Sequence, residues 1–399
     1  MRRYRVDVRD AALRRIGQID SYTSLDVIVR HLDVGAWTLA LPADHPHARL
    51  LTIGGGVVIW AEGSPRPLLT GPVTAVRHEW SNSTGTDGLM TVTGVCDNHT
   101  LAGRLAFPDP ARAPDTGDGR YGTDYWAYGP APAGDIIRAL VDVNAGPGAL
   151  PDRRVPGLDP GPRTGLGSTT RARLRFDTLL AATQELATAS GLSVRITQPD
   201  PSVPQLRLSI GRVRDLSRSV RLSPDLGNLA SYSYQLTAPR TTRTIVAAQG
   251  KGKDRFFWQW TTPSAERDWG GRITETFVDQ RDSQTPAKLN DTDEQFKALH
   301  TSAANALQQG GAQAELTLAP IDTEAMQYGV DYTVGDTVTV TTTTGTDLVY
   351  PVREVHIADS AESSTVQATV GTESATQTPA LYRQVRRLWQ AVHQLNTRH

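Results

Sequence analysis

The sequence predicts an α+β, β-rich multidomain protein with two barrel-like β domains, an α/β segment between them and a C-terminal coiled-coil helix. The chain has 399 residues, more than one hydrophobic core usually supports, so several domains are expected. Its 35 glycines and 25 prolines indicate many turns. Apolar residues recur mostly at every second position in short runs, whereas helical patterns are few. Strands should therefore predominate.

Residues 1–105 are expected to form the first barrel-like domain. Six strand-like runs follow one another, with turn residues between them, at the spacing typical of a barrel or sandwich. The runs are YRVDVRD, SLDVIVRHL, AWTLALP, GGVVIWAE, LLTGPVTAVRHEW and LMTVTGVCD. Leu25, Val27 and Val29 recur at every second position of the second run, which predicts one face toward a core.

Residues 106–220 are expected to form the α/β segment with long loops. The first helix carries an apolar stripe of four residues, Ile136, Ile137, Leu140 and Val141. Gly146 should end this helix. A second helix is expected from about Phe176 to Ala189, with Gly191 as its stop. The Pro/Gly-rich residues 151–170 between the two helices indicate an exposed loop.

Residues 221–375 are expected to form the second barrel-like domain, with a helix near 292–309. Thr292 and Gln295 have the spacing of a capping box at the helix start, and Gly310 follows its end. One helix face carries Phe296, Leu299, Ala303 and Leu307. After this helix, two strands joined by a Thr-Gly turn are predicted in YGVDYTVGDTVTVTTTTGTDLVYPVREVHI, and TVQATVG is the last strand.

The stretch AAQGKGKDRFFWQW, residues 247–260, is predicted to be a turn between two strands. A phosphate-binding loop would open a helix and place Ser or Thr after its Lys, and this stretch does neither. Its aromatic residues are expected in a barrel core or a subunit interface, namely Phe256, Phe257, Trp258 and Trp260. Arg255 is expected to pair near Asp254 or Glu266. In ETFVDQRD, we expect Phe277 to be buried and Arg281 to pair with a carboxylate.

Charge and cysteine usage limit the classes of function. The chain has 41 basic and 42 acidic side chains, so no net field favours nucleic acid or an anionic membrane. Cys96 is the only cysteine, which excludes an intrachain disulfide and indicates a small core residue. The charged N-terminus lacks the apolar segment of a signal peptide, and no apolar run reaches membrane-spanning length. A soluble protein made in a cytoplasm is expected.

Motifs for catalysis and metal binding are weak, and we predict no catalytic, cofactor-binding or metal-binding residue. His45 and His47 flank Pro46 and cannot share a helix face as a zinc pair would. The nucleophile motif G-x-S-x-G is absent. Three acidic residues in one loop could gather around calcium, but the EF-hand spacing is missing, so a solvated turn is favoured: Asp115, Asp118 and Asp124. The chain is therefore not expected to be an enzyme.

The C-terminal residues 376–399 predict a coiled-coil helix that forms an oligomer interface. Apolar residues spaced four, three, four and three apart make its seam, and one tryptophan widens the apolar face: Leu381, Val385, Leu388, Trp389, Val392 and Leu395. Val at a positions with Leu at d positions by itself favours two strands. The alternative is an amphipathic helix that docks on its own domain.

The order of several short motifs resembles one family. The motifs are Ile245-Val246, Gly250-Lys251-Gly252, Arg255-Phe256, Glu266, Trp269-Gly270, Phe277-Val278-Asp279-Gln280-Arg281, Tyr328-Gly329-Val330-Asp331-Tyr332, Val334-Gly335-Asp336 and Val352-Arg353-Glu354-Val355. They follow in the order of the Gp37-like minor tail proteins of long-tailed actinobacterial phages. That family is similar in turn to the baseplate hub and tail-associated (Tal-like) hub proteins of phages. AWTLALPADHPHARLL and GGGVVIWAEG also suit its first barrel.

The resemblance implies a structural hub subunit at the distal end of a phage tail tube, without a cofactor. Such hubs are homotrimers that contact the distal tail protein and the tape measure protein and carry a downstream fibre or spike. The implied location is the virion, at the tail tip or baseplate, after synthesis in the bacterial host cytoplasm. Two alternatives stay open: a tail-associated cell-wall hydrolase with its site in residues 106–220, and the hub of a phage-like contractile injection system.

Overall fold

The computed structural model describes residues 4–81, 88–114, 121–281, 283–323 and 325–370. The described chain divides into two compact units. Unit 1 contains residues 4–232 and 317–370, and unit 2 contains residues 233–316. The predicted coiled-coil seam, Leu381, Val385, Leu388, Trp389, Val392 and Leu395, lies outside the described residues, as do Asp115 and Asp118.

The N-terminal part of unit 1 consists of strands. They are β1 (Tyr4–Arg9), β2 (Arg15–Ile19), β3 (Ser24–Arg30), β4 (Ala36–Pro42), β5 (Gly56–Ala61), β6 (Leu69–Glu79) and β7 (Leu89–Val95). The six runs predicted to be strands are confirmed, and β2 is an additional strand. Leu25, Val27 and Val29 of β3 are buried, at 0, 0 and 3% exposure, because alternate side chains point to opposite faces of a strand.

The next part of unit 1 is the α/β segment. Its elements are α1 (His99–Ala102), β8 (Trp126–Pro132), α2 (Ala133–Ala145), β9 (Leu158–Asp159), β10 (Thr169–Leu174), α3 (Leu179–Ser190), β11 (Leu192–Thr197) and β12 (Leu206–Arg212). Both predicted helices are present and share a core with the neighbouring strands. The second begins later than expected, since Thr178 accepts a hydrogen bond from the Ala181 N–H as its N-cap. Phe176 precedes it with φ +61°, and Gly191 ends it at φ +60°.

The remaining elements alternate between the two units. They are β13 (Arg221–Leu222), β14 (Leu229–Thr237), β15 (Arg243–Ala247), β16 (Phe257–Thr261), α4 (Pro263–Asp268), β17 (Glu275–Asp279), α5 (Glu294–Gln309), β18 (Gln313–Pro320), β19 (Thr337–Thr341), β20 (Asp347–Ser360) and β21 (Ser364–Val370). The chain passes from one unit to the other within β14 and within β18. The two strands predicted around a Thr-Gly turn are β19 and β20, with Gly345 at φ +74°.

One large sheet joins strands from distant parts of the sequence. Its described order is β14-β18-β21-β20-β3-β4-β7-β6-β5-β1-β2, with β19 and then β13 attached beside β20. The described order is open, with β14 and β2 as its end strands. β20 pairs antiparallel with β3, so that Val355 lies opposite Val29 and Ile357 opposite Val27. The β-rich architecture with few helices is thus confirmed.

A buried polar network lies in unit 1. The Arg9 guanidinium donates hydrogen bonds to both carboxylate oxygens of Asp97, at 2.6 and 3.1 Å, and to Gln198 Oε1 at 3.0 Å. Thr70 Oγ1 donates to Asp97 at 2.5 Å and accepts from the Gln198 backbone N–H. Arg9 and Asp97 are about as buried as apolar core residues, at 3 and 4% exposure. Because water does not reach these buried groups, the positive charge of Arg9 and the negative charge of Asp97 compensate each other.

Candidate interaction surface

The stretch singled out in the sequence folds in unit 2 as a hairpin of a three-stranded sheet. Its order is β16-β15-β17, with β16 antiparallel and β17 parallel to the central β15. The predicted turn between strands is confirmed. Gly250 and Gly252 adopt φ +128° and +55°, and a Cβ on Gly250 would lie 2.5 Å from Arg255 Cα. Both glycines therefore allow the chain to reverse direction and do not form a phosphate-binding loop.

The inner face of this sheet packs against α5. The rings of Trp258 and Trp260 lie 5.6 and 5.5 Å from the Phe296 ring, and Trp260 stacks on His300 at 5.7 Å. Val246 and Leu299 are buried in the same cluster. Trp258 and Trp260 therefore contribute to a small aromatic core between the three-stranded sheet and α5, whereas the sequence predicted a barrel core or a subunit interface.

The helix α5 confirms the predicted helix but not its predicted cap. Asp293, rather than Thr292, is the N-cap: its Oδ1 accepts hydrogen bonds from the Gln295 and Phe296 N–H groups at 2.9 and 3.1 Å. Thr292 instead donates its hydroxyl to Asn290 Oδ1 at 2.5 Å. Asp ranks above Thr as an N-cap, whereas the capping-box spacing to Gln295 favours Thr292, so the two signals in the sequence disagree.

The outer face of the sheet exposes two aromatic rings. Phe257 and Phe277 are 50 and 54% exposed, and their ring centroids are 6.5 Å apart. The prediction that Phe277 is buried is therefore wrong. Thr276 and Val278, its neighbours in β17, are the more buried residues of the strand, and alternation directs Phe277 the other way. Phe257 likewise does not enter a core.

Arginines organise the rim of this outer face. Arg255 pairs with Asp279, not with Asp254 or Glu266 as expected, and its guanidinium carbon lies 5.6 and 5.9 Å from the Phe257 and Phe277 ring centroids. Glu266 pairs with Arg243 at 2.6 Å instead.

Arg281 also pairs with Asp279, so the predicted carboxylate partner of Arg281 is confirmed. Hydrogen bonds from Arg281, and secondly from Arg255, lower the pKa of Asp279 to about 2. The outer face thus combines exposed aromatic rings with held guanidinium groups, the residue types enriched in protein interfaces.

The other residues considered from the sequence do not gather into a site. His45 and His47 lie on the surface, with ring centroids 5.8 Å apart, and His47 Nδ1 is 2.6 Å from the Gln18 carbonyl oxygen. Asp124 is exposed. Cys96 is half-buried, its thiol accepts a hydrogen bond from the Gly35 N–H, and burial raises its pKa.

Among the residues that the structure describes, no group of three or more His, Cys, Asp and Glu side chains is arranged to hold a metal ion. In the same part of the chain, none of the helices combines the length and apolar character needed to cross a membrane.

Comparison with protein families gives one match over nearly the whole chain. The model described as "Siphovirus ReqiPepy6 Gp37-like protein" matches residues 5–372. No curated protein sequence matches the chain.

Two solved structures share the fold at low sequence identity. The 43 kDa tail protein of prophage MuSo2 from Shewanella oneidensis is 13% identical with a TM-score of 0.54, covering 94% of this chain and 99% of that one. The tail protein from Neisseria meningitidis MC58 is 15% identical with a TM-score of 0.55, covering 95% of this chain and 98% of that one. The similarity spans both units of the chain, and at this identity it concerns the fold.

Proposed function

Because the chain belongs to the Siphovirus ReqiPepy6 Gp37-like family, we propose that it is a structural subunit of a phage tail, located at the tail tip of the virion. The family match over residues 5–372 is the observation that carries this proposal. The fold shared with the prophage MuSo2 tail protein and with the Neisseria meningitidis tail protein supports it, since both likenesses extend over nearly the whole chain. The proposed role is that of a structural component of the assembled particle rather than an enzyme.

The finer parts of the proposal concern assembly. The subunit forms a homotrimer that closes the distal end of the tail tube, with its two barrel-like regions arranged around the tube axis. The domain divisions at 1–105, 106–220, 221–375 and 376–399 belong to this proposal. The C-terminal seam residues hold three helices together, one from each subunit, and these helices anchor a fibre or spike. The distal tail protein and the tape measure protein are its proposed neighbours.

Cryo-electron microscopy of intact particles tests the structural role. We expect density for this chain as a trimer around the axis at the distal end of the tube. Particles in which the chain is missing from the tail, or present there as a monomer or hexamer, would contradict the proposal.

A zymogram on host cell walls tests the enzymatic alternative separately. The isolated 399-residue chain is expected to leave the wall intact. A known cell-wall hydrolase loaded beside it serves as the positive control, and clearing by the isolated chain would show a lytic activity that a purely structural subunit lacks.

A further inference from the structure

Strand β10 of the α/β segment, with the residue that follows it, carries three arginines on its outer face. Arg171, Arg173 and Arg175 occupy every second position and are exposed. Between them, Ala172 and Leu174 are 7 and 8% exposed and belong to the core. Alternation along the strand therefore directs the three guanidinium groups to the same side, about 6 to 7 Å from one to the next.

The three arginines form no ion pair with any described residue. Asp177, the nearest carboxylate in the sequence, accepts a hydrogen bond from the Arg175 backbone N–H at 2.9 Å. In the partner strand β8, the residue opposite Arg173 is Ala127, which has no charge. In the large sheet, by contrast, the arginine at the end of β3 pairs with a carboxylate of β20 at 2.6 Å. The outer face of β10 is thus a positive surface whose charge is not compensated by a neighbouring strand.

The edge of β10 that faces away from β8 is open. Among the strands that the structure describes, β8 is the only partner of β10. The described hydrogen bonds join the backbone of residues 169–174 to β8 and to no other element. The chain is described without a gap from residue 121 to residue 281, which includes both strands.

The open strand is also regular. The irregularity in the pairing lies in β8, where Gly129 and Pro130 together stand opposite Arg171. β10 itself keeps the alternation of exposed and buried residues to its end. A regular strand with an open edge is a template for pairing with another strand.

We propose that β10 binds an extended acidic segment of another protein, which adds to the open edge as a third strand. Residues on the same face of neighbouring strands stand opposite each other, with Cβ atoms about 4.5 to 5.5 Å apart. Asp or Glu at every second position of the segment therefore meets Arg171, Arg173 and Arg175 in turn. The arginine–carboxylate pairs give charge complementarity, and backbone hydrogen bonds continue the sheet into the bound segment.

The open edge favours a strand over other acidic partners. An acidic helix satisfies its backbone N–H and C=O groups internally, so it has none to offer to β10. A nucleic acid has phosphates for the arginines but no peptide groups for the edge. An extended peptide uses both features of β10. The contact does not depend on the proposed role in the tail, because it is measured on the isolated chain.

Binding of a synthetic peptide tests the proposal in the full chain. The probe is a dye-labelled peptide of about nine residues in which Glu and Thr alternate, followed by fluorescence anisotropy at about 50 mM salt. We expect a dissociation constant of about 10 to 500 μM. Arg171→Glu and Arg173→Glu should each weaken binding at least about tenfold, because they place like charges opposite each other. Arg49→Glu, an exposed reversal elsewhere in unit 1, is the matched control and should stay within about twofold.

A charge exchange gives the positive form of the same test. The triple variant Arg171→Glu, Arg173→Glu, Arg175→Glu should lose the Glu–Thr peptide and bind a peptide in which Lys and Thr alternate. Its dissociation constant should lie within about tenfold of the original pair, since the backbone contacts are unchanged. Circular dichroism verifies that every variant is folded.

Two altered peptides separate strand addition from general attraction between charges. A peptide of the same composition with its Glu residues together at one end should bind at least about fivefold more weakly. Successive residues of a strand direct their N–H groups to opposite edges. Of two peptides methylated on every Glu nitrogen or on every Thr nitrogen, one should therefore bind within about threefold of the original and the other at least about tenfold more weakly.

The contrary outcomes are equally definite. The proposal is overturned if the wild-type chain does not bind the alternating peptide at about 1 mM, or if the charge reversals have no effect or the triple variant fails to bind the Lys–Thr peptide. Equal binding of the clustered peptide, or of the two methylated peptides, would also contradict it. Tighter binding of an oligothymidylate than of the peptide would identify the arginines as a nucleic-acid contact instead.

Discussion

At the level of single residues, breaking the buried pair of Arg9 and Asp97 should strongly destabilise unit 1. Asp97→Asn keeps the size of the side chain but leaves the Arg9 charge buried without its partner, which should cost about 3 to 5 kcal/mol. The matched change Asp347→Asn breaks the ion pair between Asp347 and Arg221, whose two members are exposed at 44 and 46%, respectively. This change should cost less than about 1 kcal/mol. Urea unfolding followed by circular dichroism measures both free energies. Equal losses of unfolding free energy in the two variants would contradict the special role of the buried pair.

Two phenylalanines of unit 2 should differ in the same kind of measurement. Phe296 is 6% exposed and contacts Trp258 and Trp260, so Phe296→Ala should destabilise unit 2 by about 3 to 5 kcal/mol. Phe277 is 54% exposed, and Phe277→Ala should cost less than about 1 kcal/mol. The pair controls for residue type, because the same atoms are removed at both positions. A large loss at Phe277 would mean that its ring is covered in solution.

Residue roles were predictable where the pattern was local. Arg281 finds its carboxylate two residues away in Asp279, a distance that sequence reasoning can cover. Arg255 pairs with the same carboxylate 24 residues away, across the sheet, so the predicted pairing near Asp254 or Glu266 is wrong. The prediction that Phe277 is buried is also wrong, because period-two alternation gives two faces without indicating which one α5 covers.

At the level of elements, Asp293, the N-cap of α5, should contribute more to stability than the neighbouring Thr292. Asp293→Ala removes the acceptor for two helix N–H groups and for the loop N–H groups of Ala287 and Lys288, and should lower the melting temperature by about 2 to 4 °C. Thr292→Ala removes only a side-chain bond to Asn290 and should lower it less. Thermal unfolding followed by circular dichroism compares the two variants. A larger loss from Thr292→Ala would restore the capping box expected from the sequence.

Element existence was more predictable than element pairing. The strands β1, β3, β4, β5, β6 and β7 were found because each is long enough to show alternation. The sequence RIGQI of β2 is five residues with a glycine inside, which hides the alternation. The pairing of β3 with β20 has no local signal, since their register depends on a partner more than 300 residues away.

At the level of the whole molecule, removal of residues after Ala380 tests the predicted C-terminal interface. The predicted coiled-coil seam should hold subunits together without supporting the fold of each chain. We therefore expect the truncated chain to stay folded, to form weaker trimers in the tail, and to lose attachment of the distal fibre or spike. Thermal unfolding and electron microscopy of assembled tails measure these outcomes.

The contrary result of the truncation is equally specific. A truncated monomer that unfolds several degrees lower than the full chain would favour a helix docked on its own domain. A seam of Val and Leu alone favours two strands, so the trimer depends on the symmetry of its surroundings.

The family is recognisable from the whole sequence because the order of the motifs is specific although each single motif is loose. The match over residues 5–372 confirms the family.

The pairing of β3 with β20 also has a consequence during protein synthesis. Arg30 and Glu354 face each other across these strands although 324 residues separate them in the chain. At about 5 to 20 residues per second, a ribosome that has made β3 needs roughly 15 to 65 s to make β20. During that interval β3 has only β4 beside it, and its other edge is open to the nascent chains of neighbouring ribosomes. The edge of β3 that later pairs with β20 is therefore open to pairing with the wrong strand until β20 has been made.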